Sequence, residues 1–140
     1  FPQFNLTIID DYAHHPHEVE ATLATLDAIY ETLWIFWEPH RLSRFVHFHN
    51  EFKNVFQPYV KKHTLFTFPI YASGDLWADY PSAETLFTPF KVAPYTHIAS
   101  NANFKNIFST ADKRKKAAVF MGAGLSSKYA HEFVQFLETQ

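Results

Sequence analysis

Leu6-Thr7-Ile8-Ile9-Asp10-Asp11-Tyr12-Ala13-His14-His15-Pro16 decides the fold class. Its first four residues are a short run rich in β-branched side chains that stops at the aspartate pair. Beyond Pro16 the apolar spacing changes, and Val19, Leu23, Leu26 and Tyr30 share one helical face. That is a strand, a polar loop over Asp10–His15, and a helix. Pro16 suits the first helical turn, where its missing N–H would have had no partner, and Glu18 and Glu20 favour the positive end of the helix dipole.

The unit repeats outward from there. Leu33–Trp37 reads as a buried strand, Glu38–Arg44 as a loop, and Phe45, Phe48, Phe52, Val55 and Phe56 as the apolar face of one second helix. His63–Tyr71 is a third strand in which Pro69 ends regular pairing early. Gly74, Pro81, Pro89 and Pro94 punctuate the next stretch, leaving room for a short helix at Ser82–Phe87. Tyr95–Ala99 reads as a fourth strand and Asn101–Thr110 as a helix carrying Phe104, Ile107 and Phe108. Ala117–Met121 is a fifth, continuously apolar strand, and Ala130, Phe133, Val134 and Leu137 mark a closing helix. Strands alternating with helices imply right-handed crossovers: a three-layer, Rossmann-like α/β domain with a mostly parallel sheet and helices on both faces. Ligands of such sheets gather beyond the carboxyl ends of the strands, so function belongs in the strand-to-helix loops.

Composition narrows the class. At 140 residues, 47% of them hydrophobic, the chain suits one domain, 1–140, with a real core, and its 16 phenylalanines read as an aromatic-heavy interior. A net charge of -2 provides no field for nucleic acid, and the one basic run, Lys113-Arg114-Lys115-Lys116, reads as a solvated loop. There is no cysteine, hence no disulfide framework and no thiolate zinc site. No stretch has membrane-spanning length and no signal-peptide pattern opens the chain, so the expectation is a cytoplasmic protein with no membrane partner.

Three loops are polar in specific ways: Asp10–Pro16 after the first strand, Glu38–Arg44 after the second, and Tyr71-Ala72-Ser73-Gly74-Asp75 after the third. DDYAHHP at the head of a helix resembles the opening of the C-terminal domain of Mur ligases. The doubled aspartate and histidine resemble the branch of that family that adds L-alanine to UDP-N-acetylmuramate. The segment PHRLSR, with His40, Arg41 and Arg44, is similar to that branch's arginine loop, and YASGD and VFMGAG (Val119–Gly124) also resemble family segments. The resemblance covers essentially the whole chain.

The resemblance implies ATP-dependent amide synthesis, in which the muramyl carboxylate is phosphorylated and the amine of L-alanine attacks the acyl phosphate. By motif position it implies that Asp11 contacts the ATP ribose, that Tyr12 lies near adenine, and that His14 or His15 faces the reacting groups. His40, Arg41 and Arg44 are the candidate substrate-binding residues. Arginines also suit that task on chemical grounds, since a guanidinium offers paired donors to carboxylate or phosphate and stays charged. Cations at a helix start sit at the electrostatically wrong end, which anion binding would explain. A P-loop needs a glycine-rich arrangement ending in Gly-Lys-Ser/Thr, and this chain has only Gly74, Gly122 and Gly124. The expectation is therefore a C-terminal domain whose ATP and Mg2+ are held mainly by a central domain of a longer chain, with an N-terminal domain holding the uridine nucleotide. Alone it should show no turnover and hold no cofactor tightly.

Three departures from the family pattern stand out. Trp37-Glu38 occupies the usual Phe-Gln position, with Glu38 adding a negative charge beside the arginines; Leu42 replaces an aromatic residue; and Leu125 replaces an aspartate. Two other readings stay open: a ligase of the same family that recycles murein peptide, and a binding module that kept the fold without catalysis. His14, His15, His17, His47 and His49 invite a zinc site, but residues two apart on a helix face different ways, and no metal site is expected. Gly122-Ala123-Gly124 lacks the third glycine of a dinucleotide fingerprint, because Ser127 stands there. It reads as a tight turn whose helix N-terminus is secondarily friendly to anions.

Overall fold

Alternation along the strands sets the architecture. In Leu33–Trp37, residues Leu33, Ile35 and Trp37 enter one core cluster while Trp34 and Phe36 enter a second. Ala117, Val119 and Met121 likewise oppose Ala118 and Phe120. A strand whose two faces are both buried needs helices above and below it. The computed structural model, which describes residues 1–92, 95–98, 104–107 and 113–140, shows that arrangement. Strands β1 (Leu6–Asp11), β2 (Thr32–Trp37), β3 (Thr64–Thr67), β4 (Tyr95–His97) and β5 (Lys116–Met121) form one sheet in the order β1-β5-β2-β3-β4, every pairing parallel.

Helices α1 (Pro16–Asp27), α2 (Leu42–His47), α3 (His49–Val60) and α4 (Ala83–Phe87) bury their apolar faces in the first cluster; α5 (Phe104–Ile107) and α6 (Ser126–Glu138) contribute to the second. Phenylalanine fills both. Phe36 stacks between Phe66 at 4.7 Å and Phe120 at 4.3 Å on one face. Trp37 sits among Phe45, Phe52, Phe56 and Phe90 on the other. Such pairs add roughly 0.5–1.5 kcal/mol each beyond their area burial.

The structure corrects several boundaries. The second helix is two: the chain turns at Phe48 (φ -100°, ψ 20°), which is partly buried against the first core cluster and packs edge-on against His15 and His47. β1 runs through Asp11, so the first loop begins at Tyr12. β3 ends at Thr67, and Tyr71 pairs with His40 through an isolated bridge. β4 ends at His97; Ala99, Phe108 and the flanks of the fifth helix lie outside the described residues. The basic run is solvated only in part. Lys116 is fully buried in β5, its ammonium donating to the carbonyls of Phe4 at 2.9 Å and Arg114 at 3.2 Å, so the N-terminal turn Pro2–Phe4 rests on a lysine.

Because all strands are parallel, their carboxyl ends share an edge. Asp11, Met121, Trp37, Thr67 and His97 lie in one continuous register there. The three polar loops and the β5–α6 turn leave from this line.

Candidate functional site

The first loop is tied down before it reaches its histidines. Asp11 accepts the Ala13 N–H at 2.8 Å on one carboxylate oxygen and the Thr22 hydroxyl at 2.9 Å on the other, fastening the loop to α1. Glu18, in the first turn of α1, accepts the His15 N–H at 3.0 Å, and that bond is the main reason its carboxyl ionises below the ordinary range. Tyr12 is 70% exposed. His14 folds back so that its Nδ1 lies 2.9 Å from the Tyr12 carbonyl. A carbonyl only accepts, so Nδ1 carries hydrogen and a neutral His14 keeps its lone pair on Nε2.

The second and third loops are laced together. Tyr71 N–H donates to the Pro39 carbonyl at 2.9 Å, and Arg41 N–H donates to the Tyr71 carbonyl at 2.6 Å. This closure holds Arg41 at φ 66°, an unfavourable region for a residue with a β-carbon, and it places the arginine at the start of α2. Ser73 and Gly74 (φ 56° and 87°) turn the third loop so that Asp75 accepts the Ser43 N–H at 2.9 Å in the first turn of α2. The Ser43 bonds, chiefly the backbone one, hold Asp75 below the ordinary carboxylate range, with a smaller contribution from Arg41.

These ties assemble a ring cluster. His40 stacks on Tyr71, centroids 5.2 Å apart and planes 10° from parallel, and meets the edge of His14 at 6.0 Å. Burial pushes the His40 imidazolium below its ordinary range, and Arg44, His14 and Arg41 push the same way. His40 Nδ1 is buried and has no hydrogen-bond partner among the described residues. Beside it, Arg41 and Arg44 line an open depression of about 500 Å³ with His47, Phe48 and Tyr80. No described carboxylate forms an ion pair with either guanidinium. Two arginines without an ion pair to any described carboxylate, beside a neutral-leaning histidine, suit an anion and an adjacent proton acceptor.

The structure thus brings His14, His40, Arg41 and Arg44 to one place. His15 keeps ring contact with His14 at 5.1 Å and also sits edge-on to Phe48 at 5.8 Å, beside a neighbouring depression lined also by His17 and Glu51. Asp11 borders a separate pocket with Thr22 and Thr25 on α1. Glu38 departs from expectation. It is 1% exposed, and its carboxylate caps the N-terminus of α6, accepting the Leu125 N–H at 2.8 and 3.1 Å. It therefore places its charge on backbone donors, and it fills the helix N-terminus that the Gly-Ala-Gly turn would otherwise offer an anion. Burial raises the Glu38 carboxyl above its ordinary range despite those donors.

Tyr71, Asp75 and Glu38 stand out in the sequence only as a polar loop and a stray charge, and their individual contacts with His40, Ser43 and Leu125 are what sequence reasoning missed. The first two stand in the polar YASGD loop, and the third is a lone carboxylate between Trp37 and Pro39. Among the remaining histidines, His49 donates from Nε2 to the Leu86 carbonyl at 2.7 Å, and His63 bridges the Leu33 N–H and Asp27. Among the described residues no three His, Asp or Glu side chains converge on a metal-sized site, and no helix is long and apolar enough to cross a membrane.

Comparison with known proteins adds a lineage to this geometry. Residues 3–124 match the family model described as Mur ligase, glutamate ligase domain. The chain is 37% identical over 135 residues to the UDP-N-acetylmuramate--L-alanine ligase of Fusobacterium nucleatum, covering 94% of this chain and 27% of that protein. It is 31% identical to the same-named ligase of Rickettsia bellii, covering 92% and 28%. Among solved structures, UDP-N-acetylmuramate-alanine ligase from Thermotoga maritima superposes with a TM-score of 0.70 at 20% identity, over 99% of this chain and 28% of that one. A domain from a putative UDP-N-acetylmuramate:L-alanyl-gamma-D-glutamyl-meso-diaminopimelate ligase of Haemophilus ducreyi superposes at 0.61 and 18% identity, covering 95% and 92%. At those identities the structures speak for the fold. The chain spans under a third of the length of the two UDP-N-acetylmuramate--L-alanine ligases of Fusobacterium and Rickettsia that it matches.

Proposed function

Since the chain belongs to the Mur ligase family as a glutamate ligase domain, we propose that it is the C-terminal domain of an ATP-dependent ligase that joins L-alanine to UDP-N-acetylmuramate in peptidoglycan biosynthesis. The observation that carries this reading is the joining of His14, His40, Arg41 and Arg44 at the carboxyl edge of the sheet, with both guanidiniums unpaired by described carboxylates.

In the proposed reaction a carboxylate oxygen of the muramyl group attacks the terminal phosphorus of ATP and ADP leaves. The amine nitrogen of L-alanine then attacks the acyl carbon, phosphate departs with the C–O electron pair, and the nitrogen sheds a proton. Arg41 and Arg44 suit the anions of this sequence, whether the alanine carboxylate or a phosphoryl group. His14, with its free lone pair on Nε2, suits the proton, and His40 serves as a neutral neighbour that adds no competing cation. Asp11 retains lone pairs beyond its two internal bonds, so a ribose hydroxyl can still donate to it, with Tyr12 exposed for an adenine ring. His15 is the alternative catalytic candidate, its ring in contact with both His14 at 5.1 Å and Phe48 at 5.8 Å. Magnesium finds no cage among the described residues. The ion and the phosphate cradle are assigned to a central domain of the longer chain, which with an N-terminal nucleotide domain forms the proposed set of partners.

The deciding experiment is phosphate release by the full-length protein supplied with ATP, magnesium, UDP-N-acetylmuramate and L-alanine, each omitted in turn. Release that requires all four supports the assignment. Release that requires a free peptide in place of L-alanine makes the protein a recycling ligase instead.

A further inference from the structure

We propose that Glu38 is a positioning residue for His40, acting through the β5–α6 turn and the ring of Tyr71. The inference rests on reading His40 as part of the candidate site and is independent of which substrates that site takes.

The argument starts from what leaves His40 free to move. Its Nδ1 is buried with no hydrogen-bond partner among the described residues, so no side-chain bond fixes the ring's rotation. What orients the ring is contact: the parallel stack on Tyr71 at 5.2 Å and the edge of His14 at 6.0 Å. The plane of Tyr71 therefore sets the plane of the imidazole and shields one of its faces from solvent.

Tyr71 is itself 38% exposed, and its ring is backed by Gly124. A β-carbon on Gly124 would lie 2.7 Å from Tyr71 Cγ and 2.8 Å from Glu38 Oε1. No side chain fits between the carboxylate and the ring, so bare glycine backbone transmits the position of one to the other. The turn is held in turn by Glu38, whose carboxylate accepts the Leu125 N–H at 2.8 and 3.1 Å. Leu125, the residue at the cap of α6, offers no side-chain acceptor, so the helix start depends on a carboxylate from the second loop. Contacts thus run from Glu38 to Gly124 to Tyr71 to His40.

The test is an NMR titration of the His40 ring in the 140-residue chain, native and with Glu38→Ala, Glu38→Gln, Gly124→Ala and Tyr71→Ala. The charged neighbours of the ring, Arg44, His14 and Arg41, stay unchanged throughout. Release of Tyr71 hydrates His40, so its midpoint should move up toward that of a free imidazole and its ring-current shifts should shrink. Loss of the Glu38 charge alone would move the midpoint down, so the direction separates positioning from Coulomb effects. Glu38→Gln keeps one oxygen for the Leu125 N–H and should fall between native and alanine. Gly124→Ala should reproduce the shift from the other side. If Glu38→Ala fails to fold by circular dichroism, the glutamine and Gly124→Ala variants decide. Folded variants in which His40 titrates as in the native chain, while Tyr71→Ala moves it, would overturn the proposal. No substrate is required, so failure of the ligase assay and failure of this inference are told apart.

Discussion

The backbone N–H of Ser43 donates to the carboxylate of Asp75 at 2.9 Å, so the third loop caps the helix that carries Arg44. A cap supplied from 32 residues away couples two loops that share no regular ladder. Asp75→Ala should lower the melting temperature and loosen Arg41 and Arg44 together, while Asp75→Asn, which keeps an acceptor oxygen, should lower it less. The pH dependence has a definite sign. Asp75 ionises below its ordinary 3.8 when folded, so its contribution is present above that value and is lost as pH falls through the folded one. Thermal melts of the native and Asp75→Asn chains should therefore converge in acid; a constant gap down to the lowest pH would show that charge plays no part.

Glu38 and Leu125 should be strongly coupled. Glu38→Ala leaves the part-buried Leu125 N–H at the start of α6 without its charged acceptor, at a cost of about 1–2 kcal/mol. Leu125 occupies the cap position and is exposed, so Leu125→Asp in that background supplies a local carboxylate and should recover about 1 kcal/mol. In the native background the same substitution brings two carboxylates to one set of donors and should stabilise nothing. Urea denaturation of the four chains measures the cycle, and additive effects would mean that the two positions do not compete for the cap.

His40 and His97 should make stability fall in mild acid. Both ionise below the ordinary 6.5 in the folded chain, His40 chiefly through burial and His97, an exposed residue on the edge strand, through partial desolvation of its ring with Lys91 pushing the same way. The unfolded chain therefore takes up protons first as pH drops below that value, and folding weakens until the folded-state midpoints are reached. His40→Phe keeps an aromatic ring on Tyr71 and removes one titrating group, so it should flatten the slope of stability against pH just below 6.5. An unchanged slope, measured by urea denaturation across that window, would remove His40 from the account.

What could be read in advance divides along physical lines. Strands and helices announced themselves because side-chain periodicity is local: Val19, Leu23 and Leu26 face one way whatever the rest of the chain does. The site loops were readable as chemistry for the same reason, as runs of Asp, His and Arg at strand ends. The break at Phe48 was hidden because its spacing continues the phenylalanine face of one helix, while the bond it makes, to the Arg44 carbonyl, closes the earlier helix. Glu38 was misplaced because its partner lies 87 residues away, and a carboxylate beside arginines in sequence need not pair with them in space. Lys116 was misread for a similar reason, since its partner carbonyl on Phe4 belongs to the opposite end of the chain.

Arg41 offers the sharpest separation of backbone from side chain. Its φ of 66° is held by the short bond from its N–H to the Tyr71 carbonyl, a conformation that glycine adopts with little penalty and an L-residue does not. Arg41→Gly should therefore leave the fold as stable as the native chain or more so, while Arg41→Ala keeps the strain. Both remove the guanidinium from the depression beside His47 and Tyr80. If Arg41 holds an anionic substrate, each variant in the full-length protein should raise the KM for that substrate roughly 10- to 100-fold, the equivalent of one lost charge-assisted bond of about 1.5–3 kcal/mol. A shared rise in KM with a higher melting temperature for Arg41→Gly than for Arg41→Ala assigns the binding to the side chain and the strain to the loop closure. Unchanged KM values for ATP, UDP-N-acetylmuramate and L-alanine alike would reduce Arg41 to surface charge and leave Arg44 to hold the anion alone.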